Sequence, residues 1–139
     1  MKAASIHELK KELNSLEKDK LLDLCMRLSK YKKENKELLT YLVFEADDEQ
    51  AYIAGVKEDI IAQLKEMNKS TLYLIKKSLR KILRSTTKFI KFSGAKQTEV
   101  ELLLFYCQML KEHRIPLRSS AALMNIYESG LVEYLLSLQ

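Results

Sequence analysis

The sequence predicts an all-α fold of seven to eight helices in stacked antiparallel hairpins, forming a helical bundle or a short α-superhelix. The 139 residues contain three glycines and one proline, whereas a sheet protein of this length needs turn residues between all its strands. Apolar residues recur every three or four positions along most of the chain, which is the helical period. Because the length fits one domain of ordinary size, we expect a single all-helical domain over 1–139.

Helix-start signals divide the first half of the chain. Ser5 and Glu8 have capping-box spacing and predict a first short helix. A second helix is expected to end in the basic stretch 30–33, and a third near 35–45. Asp47 with Gln50 is the start signal of a fourth helix. Inside that helix the sequence places Gly55 beside two alanines, which we interpret as a flat surface for close helix packing.

In the second half, a long helix is predicted over 69–92, ending at Ser93-Gly94. Thr98 with Glu101 is interpreted as the cap of the next helix. Residues 102–106 of that helix are apolar on most sides, which predicts that it is the central helix of the core.

The helical structure at the end of the chain is predicted to be interrupted at two positions. Pro116 forces a break after Ile115. Two short helices are then expected over 119–129 and 131–138, with Gly130 as the stop between them. The last of these carries an apolar pattern, which predicts docking on the chain's own core or on a second copy.

The cysteines and the termini predict a cytoplasmic protein. Cys25 and Cys107 lie in apolar helical patterns without metal-ligand spacing, so we interpret both as buried small hydrophobic residues. The amino-terminal residues lack the apolar core of a signal peptide, and no segment reaches the roughly 18 uninterrupted apolar residues of a membrane span.

The positive charge is confined to one segment. The net charge is +5, yet residues 69–98 contain nine lysines and arginines and no acid, while the segments on either side are each slightly acidic. At about 100° per residue, the cations of the predicted helix share one face opposite its apolar residues. The candidate anion- or nucleic-acid-binding residues are Lys76, Lys77, Arg80, Lys81, Arg84, Lys88 and Lys91, with Lys69 preceding them on the same face.

Three interpretations of this face compete. The first is a solvated surface that is partly paired with the acidic amino-terminal helices. The second is a surface that contacts nucleic-acid phosphates. The third is a binding site for an acidic protein or an anionic membrane. Tyr73 is the one aromatic residue in the cationic arc, which serves base stacking poorly.

Residues that could carry chemistry have simpler structural interpretations. His113 is expected to lie at a helix end, where a cation complements the dipole, and neither it nor His7 has a second ligand nearby. The acidic residues 45–49 are typical of a helix start, and the hydroxyl residues 85–87 are interpreted as surface residues. We therefore expect no catalytic residues, metal, cofactor or small-molecule substrate, and no enzymatic activity.

Two resemblances add to this interpretation. The segments LKKELNSLEKDKLLDLCMRL, KELLTYLVFEADDEQAYIAGVKEDI, SLRKILRSTTKFIKFSG and TEVELLLFYCQMLKE resemble, in the order of their leucine and charge patterns, a bacterial all-helical family of unknown function. That resemblance implies a helical fold and carries over no catalytic residue. The segment Ile6–Leu28 is similar to a SAP-type DNA-binding helix pair, although residues 14–18 replace the glycine-bearing loop expected there.

The leading functional hypothesis from sequence is a non-catalytic interaction module that binds a protein partner or self-associates. The alternative is a nucleic-acid-binding accessory protein that contacts phosphates through the basic helix 69–92.

Overall fold

The computed structural model describes residues 1–119 and 121–139, and over these residues the fold is all-α, as predicted. It contains seven α-helices: α1 Ile6–Asn14, α2 Lys18–Tyr31, α3 Lys33–Thr40, α4 Glu49–Glu66, α5 Leu72–Ser93, α6 Lys96–Glu112 and α7 Ala121–Ser137. A π-helical turn, Tyr41–Glu45, follows α3, and a 3₁₀ turn, Leu117–Ser119, precedes α7. The chain divides into two compact units, Met1–Val43 and Phe44–Gln139.

The first unit is built from α1, α2 and α3. The predicted capping box at its start is present: the Ser5 hydroxyl accepts from the Glu8 backbone N–H, and the Glu8 carboxylate accepts from the Ser5 N–H. The helices α2 and α3 form a hairpin in which the Asn35 side-chain amide donates to the Leu28 carbonyl oxygen at 2.8 Å. This bond links the two helices across their short joint.

Apolar residues of the first unit stay largely exposed. Ile6 of α1 is 82% exposed and Leu28 of α2 is 63% exposed. Cys25 is also exposed, so its interpretation as a buried hydrophobic residue is wrong, whereas Cys107 is buried as expected. Helical periodicity places Cys25 on an apolar face but does not specify whether any other helix covers that face.

The second unit is a bundle of α4, α5, α6 and α7, and α6 packs against the other three. The prediction that α6 is the central helix is confirmed: it buries six apolar side chains, Leu102, Leu103, Tyr106, Cys107, Met109 and Leu110, although Leu104 within the same run is 36% exposed. The opposing helices contribute fully buried residues such as Ile60 of α4, Leu79 of α5 and Leu123 of α7.

The end of the chain forms one helix rather than two. α7 runs through Gly130 without a break, so the predicted stop there is wrong. A Cβ added at Gly130 would lie 3.1 Å from Cε1 of Tyr106 and 3.5 Å from the Cys107 sulfur. Gly130 is therefore a residue at which α7 approaches α6 closely, and its lack of a side chain serves packing.

Gly55 shows the opposite situation. A Cβ at this position of α4 would meet nothing within 4 Å, so the interpretation of Gly55 as a close-packing surface is wrong. The close-packing role that the sequence analysis gave to Gly55 belongs instead to Gly130, because which helix a glycine faces is decided by the tertiary structure.

Helix boundaries differ from the predictions by a few residues. The cap of α4 is Asp48, whose carboxylate accepts from the Ala51 N–H, rather than Asp47. Thr98 does not cap α6: it is 1% exposed inside the helix, which begins at Lys96 after the cap residue Ala95. Only Gly94 and Ala95 separate α5 from α6, so α6 begins before Thr98, the residue that the sequence analysis interpreted as its cap.

Candidate functional site

The candidate site lies on α5, whose two ends are capped as helix geometry requires. The Thr71 hydroxyl accepts from the Leu74 N–H at 3.2 Å and satisfies one of the free donors at the start. Gly94 ends the helix in the left-handed conformation at φ 69°, which glycine adopts without a Cβ clash, and its N–H donates to the Ile90 carbonyl.

The predicted helix over 69–92 is confirmed with a later start, because α5 begins at Leu72. Lys69 consequently lies in the non-helical segment before the cap, outside the regular face. From Lys76 to Lys91 the cations extend over about 22 Å of helix, rather than the roughly 30 Å that a helix from residue 69 would give.

The apolar side of α5 is held in the bundle by packing and by two hydrogen bonds from tyrosines. Ile75, Leu79, Ile82 and Ile90 are at most 6% exposed. The Tyr106 hydroxyl of α6 donates to the Leu79 carbonyl oxygen at 3.4 Å, and the Tyr52 hydroxyl of α4 donates to the Phe89 carbonyl oxygen at 2.7 Å. These contacts fix the rotation of α5 about its own axis.

Two residues of α5 differ in their burial from what the sequence predicted. Leu72 is 41% exposed, while Thr86, interpreted from sequence as a surface residue, is 1% exposed. The Thr86 hydroxyl donates to the Ile82 carbonyl one turn earlier at 2.8 Å, so its polar atom is satisfied within α5 and its methyl group can pack in the core.

The other side of α5 carries the seven predicted site residues, which we call the cationic face: Lys76, Lys77, Arg80, Lys81, Arg84, Lys88 and Lys91. Lys76 and Lys88 are half-buried, and the other five are exposed. Since burial fixes the rotation of the helix, these side chains point away from the core of the second unit.

Carboxylates of the same unit leave most of this face unneutralised. Among the described side chains of Phe44–Gln139, an ion pair joins Lys57 of α4 to Glu101 of α6 at 3.5 Å and involves no residue of the cationic face. The Glu49 carboxylate, near the end of α5, accepts from the Ser93 hydroxyl at 3.1 Å. Lys88 lies over the ring of its neighbour Phe89 at 5.2 Å from the ring centroid.

A shallow concavity of about 440 Å³ opens on the cationic face. Its lining is formed by Tyr73, Lys76, Lys77, Arg80, Leu83 and Arg84. Four of these six residues are cations, and Tyr73 is 67% exposed. The concavity can therefore accept an anionic group that several charged donors contact together.

Other groups that the sequence singled out make local hydrogen bonds. His113 follows α6, and its Nδ1 lies 3.1 Å from the Met109 carbonyl oxygen, within hydrogen-bonding distance. The Asp48 carboxylate caps the start of α4, and the Glu49 carboxylate links α4 to Ser93 of α5. Over the described residues, histidines, cysteines and acids form no group of three that could hold a metal ion.

Two further surface features were not identified from sequence. A concavity of about 410 Å³ between α4 and α5 is lined by Glu45, Asp59, Gly55, Phe89 and three neighbouring residues. A smaller one, about 250 Å³, lies in the hairpin of α2 and α3 beside Cys25. Within the described part of the chain, each helix is too short or too polar to cross a membrane.

Comparisons of this chain with protein-family models, with curated proteins and with solved structures give no match.

Proposed function

We propose that this protein is a non-catalytic module that binds nucleic acid by its phosphates, through the cationic face of α5. The observation that carries the proposal is the absence of an ion pair, among the described side chains of Phe44–Gln139, for Lys76, Lys77, Arg80, Lys81, Arg84 and Lys91. Lysines and arginines that no carboxylate neutralises can neutralise phosphates, which releases the cations condensed on the nucleic acid with a gain in entropy.

The charge pattern along the chain supports the same conclusion. Residues 69–98 contain no aspartate or glutamate, so a phosphate chain lying along α5 meets no like charge from the helix that binds it. Lysines and arginines at steps of three and four residues place successive cations about 4.5 to 6 Å apart along the helix axis, which suits contacts to successive phosphates.

A salt titration tests this proposal. We expect the protein to bind a fluorescein-labelled 24-nucleotide DNA, offered as duplex and as single strand, in an anisotropy assay at 50 mM salt. With five to seven phosphates neutralised, the affinity for duplex should fall by about 1000-fold between 50 and 200 mM salt. Failure to bind either form at 50 mM salt, or an affinity that salt leaves unchanged, would contradict the proposal.

A second candidate function, self-association, is favoured by the exposed end of α7. Val132, Leu135, Leu136 and Leu138 are each more than half exposed, and residues 129–139 contain one charged residue, Glu133. An apolar, nearly uncharged surface can pair with a second copy of itself without like-charge repulsion.

Sedimentation velocity over a hundredfold range of protein concentration tests self-association. We expect a dimer to appear as concentration rises, and the double substitution Leu135→Gln and Leu136→Gln to weaken it. A monomer at every concentration would remove this candidate and leave the nucleic-acid proposal unaffected.

A further inference from the structure

The cations of the cationic face form two edges along α5, and the angle between these edges bears on which type of nucleic acid the face can bind. At about 100° per residue, Lys76 and Arg80 lie within about 40° of each other on one edge. Lys77 and Lys81 lie about 100° further round on the other edge. Tyr73, Arg84 and Lys91 occupy the ridge between the edges.

We infer, resting on the proposed function, that the cationic face binds duplex DNA with α5 in the major groove, each edge contacting the phosphates of one strand. Long side chains from edges about 100° apart diverge outward, and the major groove that they must straddle is roughly 12 Å wide, close to the diameter of an α-helix with its side chains. A single strand offers one backbone and leaves one edge without phosphates.

The exposed residues of the ridge fit the same arrangement. Tyr73 is 67% exposed and Arg84 is exposed, so both can reach the floor of the groove, where arginine pairs with guanine O6 and N7. Of the six residues that line the concavity one is aromatic, and base stacking along a single strand uses successive aromatic rings.

The shape of the groove also separates DNA from RNA. Duplex RNA adopts the A-form, whose major groove is deep and too narrow for side chains to read, let alone for a helix to enter. Binding through both edges therefore requires B-form DNA.

The test compares three labelled probes of one sequence: a 24-base-pair DNA duplex, one of its strands alone, and the matching RNA duplex. We expect the DNA duplex to bind at least about tenfold more tightly than either other probe at 100 mM salt, since both edges contribute to its salt-dependent affinity. Single-stranded DNA or duplex RNA binding as tightly as the DNA duplex would overturn the inference while leaving the proposed function standing. Binding of none of the three would overturn both.

Edge variants provide the second readout. The pair Lys76→Gln with Arg80→Gln, and the pair Lys77→Gln with Lys81→Gln, should each lower the slope of log affinity against log salt on the DNA duplex by about 1.8. The control pair Lys10→Gln with Lys11→Gln removes two exposed cations from α1 and should leave the slope unchanged. If one of the two edges can be neutralised without a change in slope, the straddling arrangement is wrong.

Discussion

Reversing three charges on the cationic face, Lys76→Glu, Arg80→Glu and Arg84→Glu together, is expected to weaken DNA binding by at least about 100-fold at 50 mM salt. The three residues lie at steps of four along α5 and include both an edge and the ridge. Lys76→Glu and Arg80→Glu each remove a phosphate contact, and Arg84→Glu removes a cation of the ridge. Each glutamate also repels nearby phosphates, so the loss exceeds that of simple neutralisation.

The same variant is expected to keep its fold. The three glutamates repel one another at i,i+4 about as much as Lys76, Arg80 and Arg84 do in the native helix. The glutamate introduced by Arg84→Glu also stands four residues before Lys88, the favourable order for a helical ion pair. Circular dichroism should therefore show unchanged helicity and a thermal midpoint equal to or slightly above that of the native protein.

A matched control separates the site from overall charge. Lys10→Glu, Lys11→Glu and Lys18→Glu together change the net charge by the same amount on exposed residues of α1 and α2. If this control lowers DNA affinity as much as the α5 variant does, binding reflects the charge of the whole protein and the cationic face is not the site.

Leu79→Ala is expected to lower the free energy of unfolding by about 2 to 5 kcal/mol. Leu79 is 0% exposed at the centre of the buried side of α5, and its carbonyl accepts from the Tyr106 hydroxyl of α6. Removing its side chain leaves a cavity in the core of the second unit, whose fixed packing determines which way the cationic face points. Urea denaturation followed by circular dichroism measures the loss.

Leu72→Ala is the matched control on the same helix. Leu72 begins α5 and is 41% exposed, so its truncation should cost less than about 1 kcal/mol, in proportion to the smaller apolar area that folding removes from water. Equal costs for the two leucines would mean that α5 is not oriented with Leu79 toward the core, and the cationic face would lose its basis.

Residues of the first unit show where helical periodicity stops being informative. The repeats of Ile6, Leu9 and Leu13 and of the apolar residues around Cys25 correctly predict α1 and α2. They do not predict burial, because both helices expose most of these side chains. Whether a segment has an amphipathic face depends on that segment alone. The residues that bury this face belong to another segment of the chain or to another molecule.

The sequence alone determined the all-α fold, the central position of α6 and the segregation of charge on α5. These depend on spacings of three and four residues and on caps such as Ser5, which act within one turn of helix. Tertiary structure decided the continuity of α7 through Gly130, the burial of Thr86, the open space beside Gly55 and the exposure of Cys25. It also decided that no described carboxylate of Phe44–Gln139 pairs with Lys76, Arg80 or Arg84. Each of these depends on which segment packs against which, and contacts between residues far apart in the chain leave no periodic signal in the sequence.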